Sequence, residues 1–300
     1  MKKFSLVMIL LLLMGCGSTP YRDDYAKHVN LISNNYYNDE SFQFAFSQTS
    51  NIDLRGLYQQ DNTLGSSNMV YQGGAGIAGM LVQIGTHSAI VNSQRNSRLA
   101  QQQQAANLPI SPLIELTKHL NLNDLIGPYD SKQREIGELD TDTLQIKPIF
   151  FSNSHMSRLS LKSVIWLPKK GKKKQSKKKR KKHKYQNMIQ VYGNKLNMAD
   201  RKKLTNNDTT FLSKQLSVLL QTTLYIAQNE LTGKYSEKPL KAQTFIIEDG
   251  TAKKVIRGSL VAEKCGYQII KDIRSWYIAT PKPLESENNT NVQAESCNYI

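Results

Sequence analysis

From Thr143 onward apolar residues recur with a period near two: Leu144, Ile146, Ile149 and Phe151, then Leu159, Leu161, Ile165 and Leu167, then Met188 to Tyr192. Alternate side chains of an extended chain share a face, so this pattern predicts three strands. Asp208 then stands where a helix cap is needed. Leu212, Leu216, Leu219, Thr223 and Ile226 fall on one stripe of a helix over 211–231, which Gly233 ends. Strands resume at 244–248, turn at Asp249 and Gly250, continue over 255–262 and finish with 267–279. The order βββαβββ predicts an α+β domain over 140–280, an antiparallel sheet with one covering helix.

Upstream the pattern changes. Residues 16–68 are polar and aromatic and read as a tether with a docking segment, because Phe42, Phe44 and Phe46 in SFQFAF share one face of an extended chain. Residues 69–130 read as a helical region. Within it 73–106 forms one long helix, with Ile77, Met80, Leu81, Ile84 and Val91 on one stripe and Ala75, Ala78, Gly79, Gly85, Ala89 and Ser93 on the next. The small stripe, with Gly79 and Gly85 as packing positions, lets a second backbone approach closely, and it resembles the glycine-zipper segments of some envelope proteins. Gln83, Thr86, His87, Asn92, Arg95 and Arg98 interrupt the apolar run, which favours a buried or self-associating helix, and hence a homo-oligomer, over one inserted in lipid. Pro109 and Pro112 end this helix, a shorter one runs to Leu120, and Gly127 with Pro128 closes the region. Residues 281–300, led by Pro281 and Pro283, read as a disordered tail.

Charge alters this picture at one place. The 300 residues carry 40 Lys and Arg against 24 Asp and Glu, a formal +16. Twelve of the bases lie between 169 and 184: Lys169, Lys170, Lys172, Lys173, Lys174, Lys177, Lys178, Lys179, Arg180, Lys181, Lys182 and Lys184. Outside that run 28 bases stand against 24 acids, so the high pI belongs to one segment and specific nucleic-acid recognition is not expected. Falling between two strands, the run reads as an overlong solvated hairpin loop. It is either an incidental insertion or a contact for polyanions, since a charged surface attracts each nearby base by about 1 kcal/mol.

The N-terminus reads MKKFSLVMILLLLMGC, with a basic start at Lys2 and Lys3 and nine apolar residues from Leu6 to Met14. At about 1.5 Å rise per residue this stretch falls far short of a hydrocarbon core about 30 Å thick, so it is a signal-peptide core over 1–15 rather than a span. Leu13, Met14, Gly15 and Cys16 resemble the lipobox of bacterial lipoproteins. The resemblance implies cleavage before Cys16, a diacylglyceryl thioether on its sulfur and an acylated amine such as a palmitoyl amide. Gly17 stands where the inner-membrane retention signal would place Asp, which implies the outer membrane, with the polypeptide in the periplasm or outside. In such an oxidising compartment Cys265 and Cys297 are disulfide candidates. The other reading leaves one thiol buried and the other loose in the tail.

Reaction chemistry is not legible. The histidines His28, His87, His119, His155 and His183 show no metal-ligand spacing, and there is no GxSxG or GxxxxGK[ST] motif. Glu138, Asp140 and Asp142 alternate in ELDTDT, more simply a solvated strand entry than a cation site. No catalytic residue, metal or cofactor is assigned. The expectation is a lipid-anchored envelope lipoprotein with a non-catalytic binding or scaffolding role, touching lipopolysaccharide or anionic lipid through its lysine-rich loop. The alternatives are a hydrolase of envelope polymers and an oligomeric or membrane-inserting factor acting through the small-residue helix.

Overall fold

In a computed structural model of the chain the described residues are 43–46, 51–58, 97, 100–129, 143–168, 183–235, 241–249 and 252–282. Period-two segments form the strands. β1 is Phe44–Phe46, β2 Leu54–Gly56, β3 Leu144–Ser152, β4 Leu159–Pro168, β5 His183–Tyr192, β6 Gln243–Asp249, β7 Ala252–Lys264, β8 Tyr267–Asp272 and β9 Tyr277–Pro281. They join one nine-stranded sheet in the order β1-β3-β4-β5-β9-β8-β7-β6, with β2 also paired to β3. Helices α1 (Ser111–Thr117), α2 (Met198–Thr205) and α3 (Thr209–Leu231) accompany it, and residues 100–107 are helical.

The mixed α and β content and the large sheet make this an α+β fold, but the sheet departs from the expected antiparallel βββαβββ. Side-chain period carries no information about strand direction. β1 and β2 run parallel to β3, and β9 runs parallel to β5. The strand expected over 267–279 is two strands, β8 and β9, because the Asp272 carboxylate accepts backbone N–H bonds from Arg274 (2.8 Å) and Trp276 (2.9 Å) and folds the chain back between them. α2 precedes the expected helix, capped by the Asn197 side chain.

α3 follows local physics closely. The Asp208 carboxylate accepts from the Phe211 N–H at 2.9 Å. Leu212, Leu216, Leu219, Thr223 and Ile226 are buried, and Gly233 leaves the helix at φ 79°. Their stripe packs on the sheet face bearing Ile146, Phe150, Leu161, Ile165, Ile189 and Val191. Phe44, Leu54, Leu113 and Leu125 join the same core, so segments upstream of residue 130 complete it.

The opposite face has its own apolar cluster, Tyr192, Ile247, Ile256, Ile270 and Ile278. It forms because the sheet curls. The register aligns Leu260 of β7 with Ile270, Ile278 and Gln190 across β8, β9 and β5. In a flat sheet Lys254 and Tyr192 would therefore stand eight residues apart along the strands, about 26 Å. The Lys254 Nζ instead reaches the Tyr192 Oη at 3.4 Å. Gly258 marks the corner: β7 pairs with β6 up to this residue and with β8 beyond it. A Cβ there would lie 2.5 Å from the Lys271 carbonyl oxygen, so only glycine fits where the strand turns.

Candidate functional site

The basic run leaves and re-enters the fold at a defined place. β4 and β5 stay paired through Leu167 with Tyr185 and, after an irregularity, Pro168 with His183. Two adjacent strand ends thus hold the bases of the loop. Lys184 lies in β5 and is half-buried. The other eleven bases, Lys169 to Lys182, lie outside the described residues, as do Cys16, Cys297, Gly79, Gly85 and the Glu138, Asp140 and Asp142 group.

Just inside this loop base lies a buried polar network absent from the expectations. Tyr185 and Asn187 alternate with Gln186 and so point with Ile189 and Val191 into the core under α3. There they meet Glu230, in the last turn of α3 and only 7% exposed. The Tyr185 hydroxyl donates a short hydrogen bond to Glu230 Oε2. Asn187 Nδ2 donates to both carboxylate oxygens, at 3.0 and 3.1 Å, and to the Ser275 carbonyl at 2.9 Å. The Asp272-capped turn carries Ser275, with φ 65°, to this position. One network therefore ties β5, the end of α3 and the β8–β9 turn together.

Burial pushes the Glu230 carboxyl up from 4.5 to about 7, against the opposing pull of the Tyr185 hydrogen bond, the Lys271 charge and the Asn187 amide. Burial and the neighbouring carboxylate hold the Tyr185 phenol well above its ordinary value. Lys271 lies over the Tyr277 ring, 5.2 Å from its centroid, and Tyr277 packs on Tyr235 at 5.4 Å. A carboxyl titrating near neutrality suits proton transfer in principle. Here both of its oxygens are engaged by protein donors in the core, so the arrangement holds elements together rather than presenting a reactive group.

One signal for Glu230 was present in the chain. It stands four residues after Ile226, continuing the core stripe of α3, and an acid in the last turn of a helix opposes the helix dipole. Tyr185 and Asn187 needed the register of β5 to be seen.

Among the described residues no three His, Cys, Asp or Glu side chains come together to hold a metal. His119 and His155 are exposed. No helix among the described residues is long and apolar enough to cross a membrane. Cys265 begins the tight β7–β8 turn with φ 56°, followed by Gly266 at φ 73°, the left-handed pair that a two-residue hairpin requires. It is disulfide-bonded to a cysteine outside the described residues, where both Cys16 and Cys297 fall.

No family model matches the chain, and neither a curated protein nor a solved structure is similar to it.

Proposed function

We propose that the chain is a lipid-anchored envelope lipoprotein with a non-catalytic binding role, in which a rigid curled sheet presents the lysine-rich loop to anionic envelope polymers such as lipopolysaccharide or anionic phospholipid. Pairing of β4 with β5 out to the base of the run, through one irregularity between Leu167 and Pro168, carries this reading. A dense array of cations held at both ends by a stiff hairpin keeps its place on the molecule, whereas the same array in a tail would not. The Tyr185–Asn187–Glu230 network stiffens the strand from which the array departs. In this reading Cys16 carries the lipid, which leaves Cys297 as the disulfide partner of Cys265 and fastens the tail to the β7–β8 turn. The same reading includes the expected helix over 73–106, with Gly79 and Gly85 as its packing positions.

The test is binding of purified lipopolysaccharide by a chain beginning at Gly17, beside the same chain with residues 169–182 replaced by a short turn. The intact chain binds at low salt and releases steeply as salt rises, because each neutralised phosphate frees a counterion. Equal binding by the shortened chain would remove the loop from the function. Mass spectrometry of the native protein reads the anchor directly, and an unmodified Cys16 thiol would overturn it.

A further inference from the structure

The sheet face away from α3, onto which β7 curls, carries buried polar side chains among apolar ones. On β4 and β5 the register sets Lys162 opposite Gln190 and Ser160 opposite Tyr192, so these four form one block on that face. Gln190 is 2% exposed and Ser160 5%, and neither side chain makes a hydrogen bond among the described residues. A buried amide or hydroxyl without a partner is costly, and folds rarely keep one without a use for it. Apolar groups wall the block. Ile149 and Phe151 lie across from Lys162 and Ser160 on β3, and Ile278 lies beside Gln190 on β9.

Two ammonium groups approach this block from opposite ends of the row Phe151, Ser160, Tyr192. The Lys162 Nζ stands over the Phe151 ring, 5.4 Å from its centroid, and so leans from its own row into that of Ser160. Lys254 comes over with the curl of β7 and places its Nζ 3.4 Å from the Tyr192 Oη. Strands β3, β4 and β5 contain no Asp or Glu. Asp272, on the same face of β8, is engaged in capping the β8–β9 turn.

We propose that this block binds a phosphoryl group, from free phosphate or from a phospholipid headgroup. Donors stand at both ends of the row, Lys162 and Lys254, and on the sheet beneath it, Ser160, Gln190 and Tyr192. That three-sided arrangement suits the tetrahedral oxygens of a phosphoryl group better than the planar pair of a carboxylate. The apolar walls exclude water and strengthen each charged contact. Ser160 lies eight residues along β4 from Pro168, about 26 Å from the base of the lysine-rich loop. The site therefore stands apart from the polyanion contact proposed above, and each can fail without the other.

Isothermal titration calorimetry tests this on the full chain in non-ionic detergent, at about 0.5 M salt to screen the loop. The titrants are inorganic phosphate, dihexanoyl phosphatidic acid and acetate. The native chain binds phosphoryl compounds at one site and acetate weakly. Lys162→Met and Gln190→Leu each weaken phosphoryl binding about tenfold or more. The ligand-free Gln190→Leu chain melts no lower than the native one, since an unpartnered amide has left the interior, so its loss of binding is not misfolding. Tighter binding of phosphatidic acid than of phosphate assigns the site to a lipid headgroup, and equal or weaker binding assigns it to the free anion. The proposal is overturned if the native chain binds neither phosphoryl compound or binds acetate equally. It is also overturned if both variants bind as the native chain does, or if replacing residues 169–182 by a short turn abolishes binding.

Discussion

Glu230→Gln should abolish a pH dependence that the native protein carries in its core. The native carboxyl holds its proton up to about pH 7, while the unfolded chain releases it near 4.5. Between those values the folded state binds more protons than the unfolded one, so stability falls as pH rises through the window and levels off above it. At about 1.4 kcal/mol per pH unit the loss is on the order of 3 kcal/mol. Glutamine keeps the volume and an acceptor for Tyr185 but has no proton to lose. Urea unfolding at pH 5 and pH 8, followed by tryptophan fluorescence, gives the comparison. With a slope of about 1–3 kcal/mol per molar urea, the native midpoint should drop by roughly 1–3 M more than that of the variant. Asp272, whose carboxyl burial also raises, titrates in both proteins and cancels in the difference. Parallel shifts in the two proteins would refute the reasoning, because they would mean that Glu230 ionises in the fold at no cost, through the Lys271 charge or through water reaching the network.

Three further outcomes are expected. Gly56→Ala should cost several kcal/mol and lower the melting temperature, because a Cβ would lie 1.9 Å from the Ala106 carbonyl oxygen, where β2 is held to the 100–107 helix by the Asn107 side chain accepting from the Gly56 N–H at 2.8 Å. Ser163→Ala should leave stability unchanged or raise it by about 1 kcal/mol in the same urea assay, since the hydroxyl is fully buried with no hydrogen-bond partner among the described residues. Cys265→Ser, or reduction with dithiothreitol, should lower stability by about 3 kcal/mol, and the native protein but not the variant should migrate faster without reductant.

The chain alone determined what depends on neighbours a few residues away. α3 was legible from its Asp208 cap, its leucine stripe and Gly233, because capping and helical burial act within one or two turns. β3, β4, β5, β6 and β7 were legible as strands from their apolar pattern, and the basic run and the apolar N-terminal stretch from composition. Which strands pair, and in which direction, was decided only in three dimensions. β9 lies parallel to β5 although 84 residues separate the ends Tyr192 and Tyr277 from any local signal between them. β1 and β2 join β3 although a long segment intervenes, and Gly258 turns β7 from one partner to another. The Glu230 network belongs to the same class, since its members are 43 and 45 residues apart. Alternation states which side of a strand is apolar, but a strand's partner is chosen by the free energy of closing long loops against the apolar surface that closure buries, and that balance is struck over the whole chain.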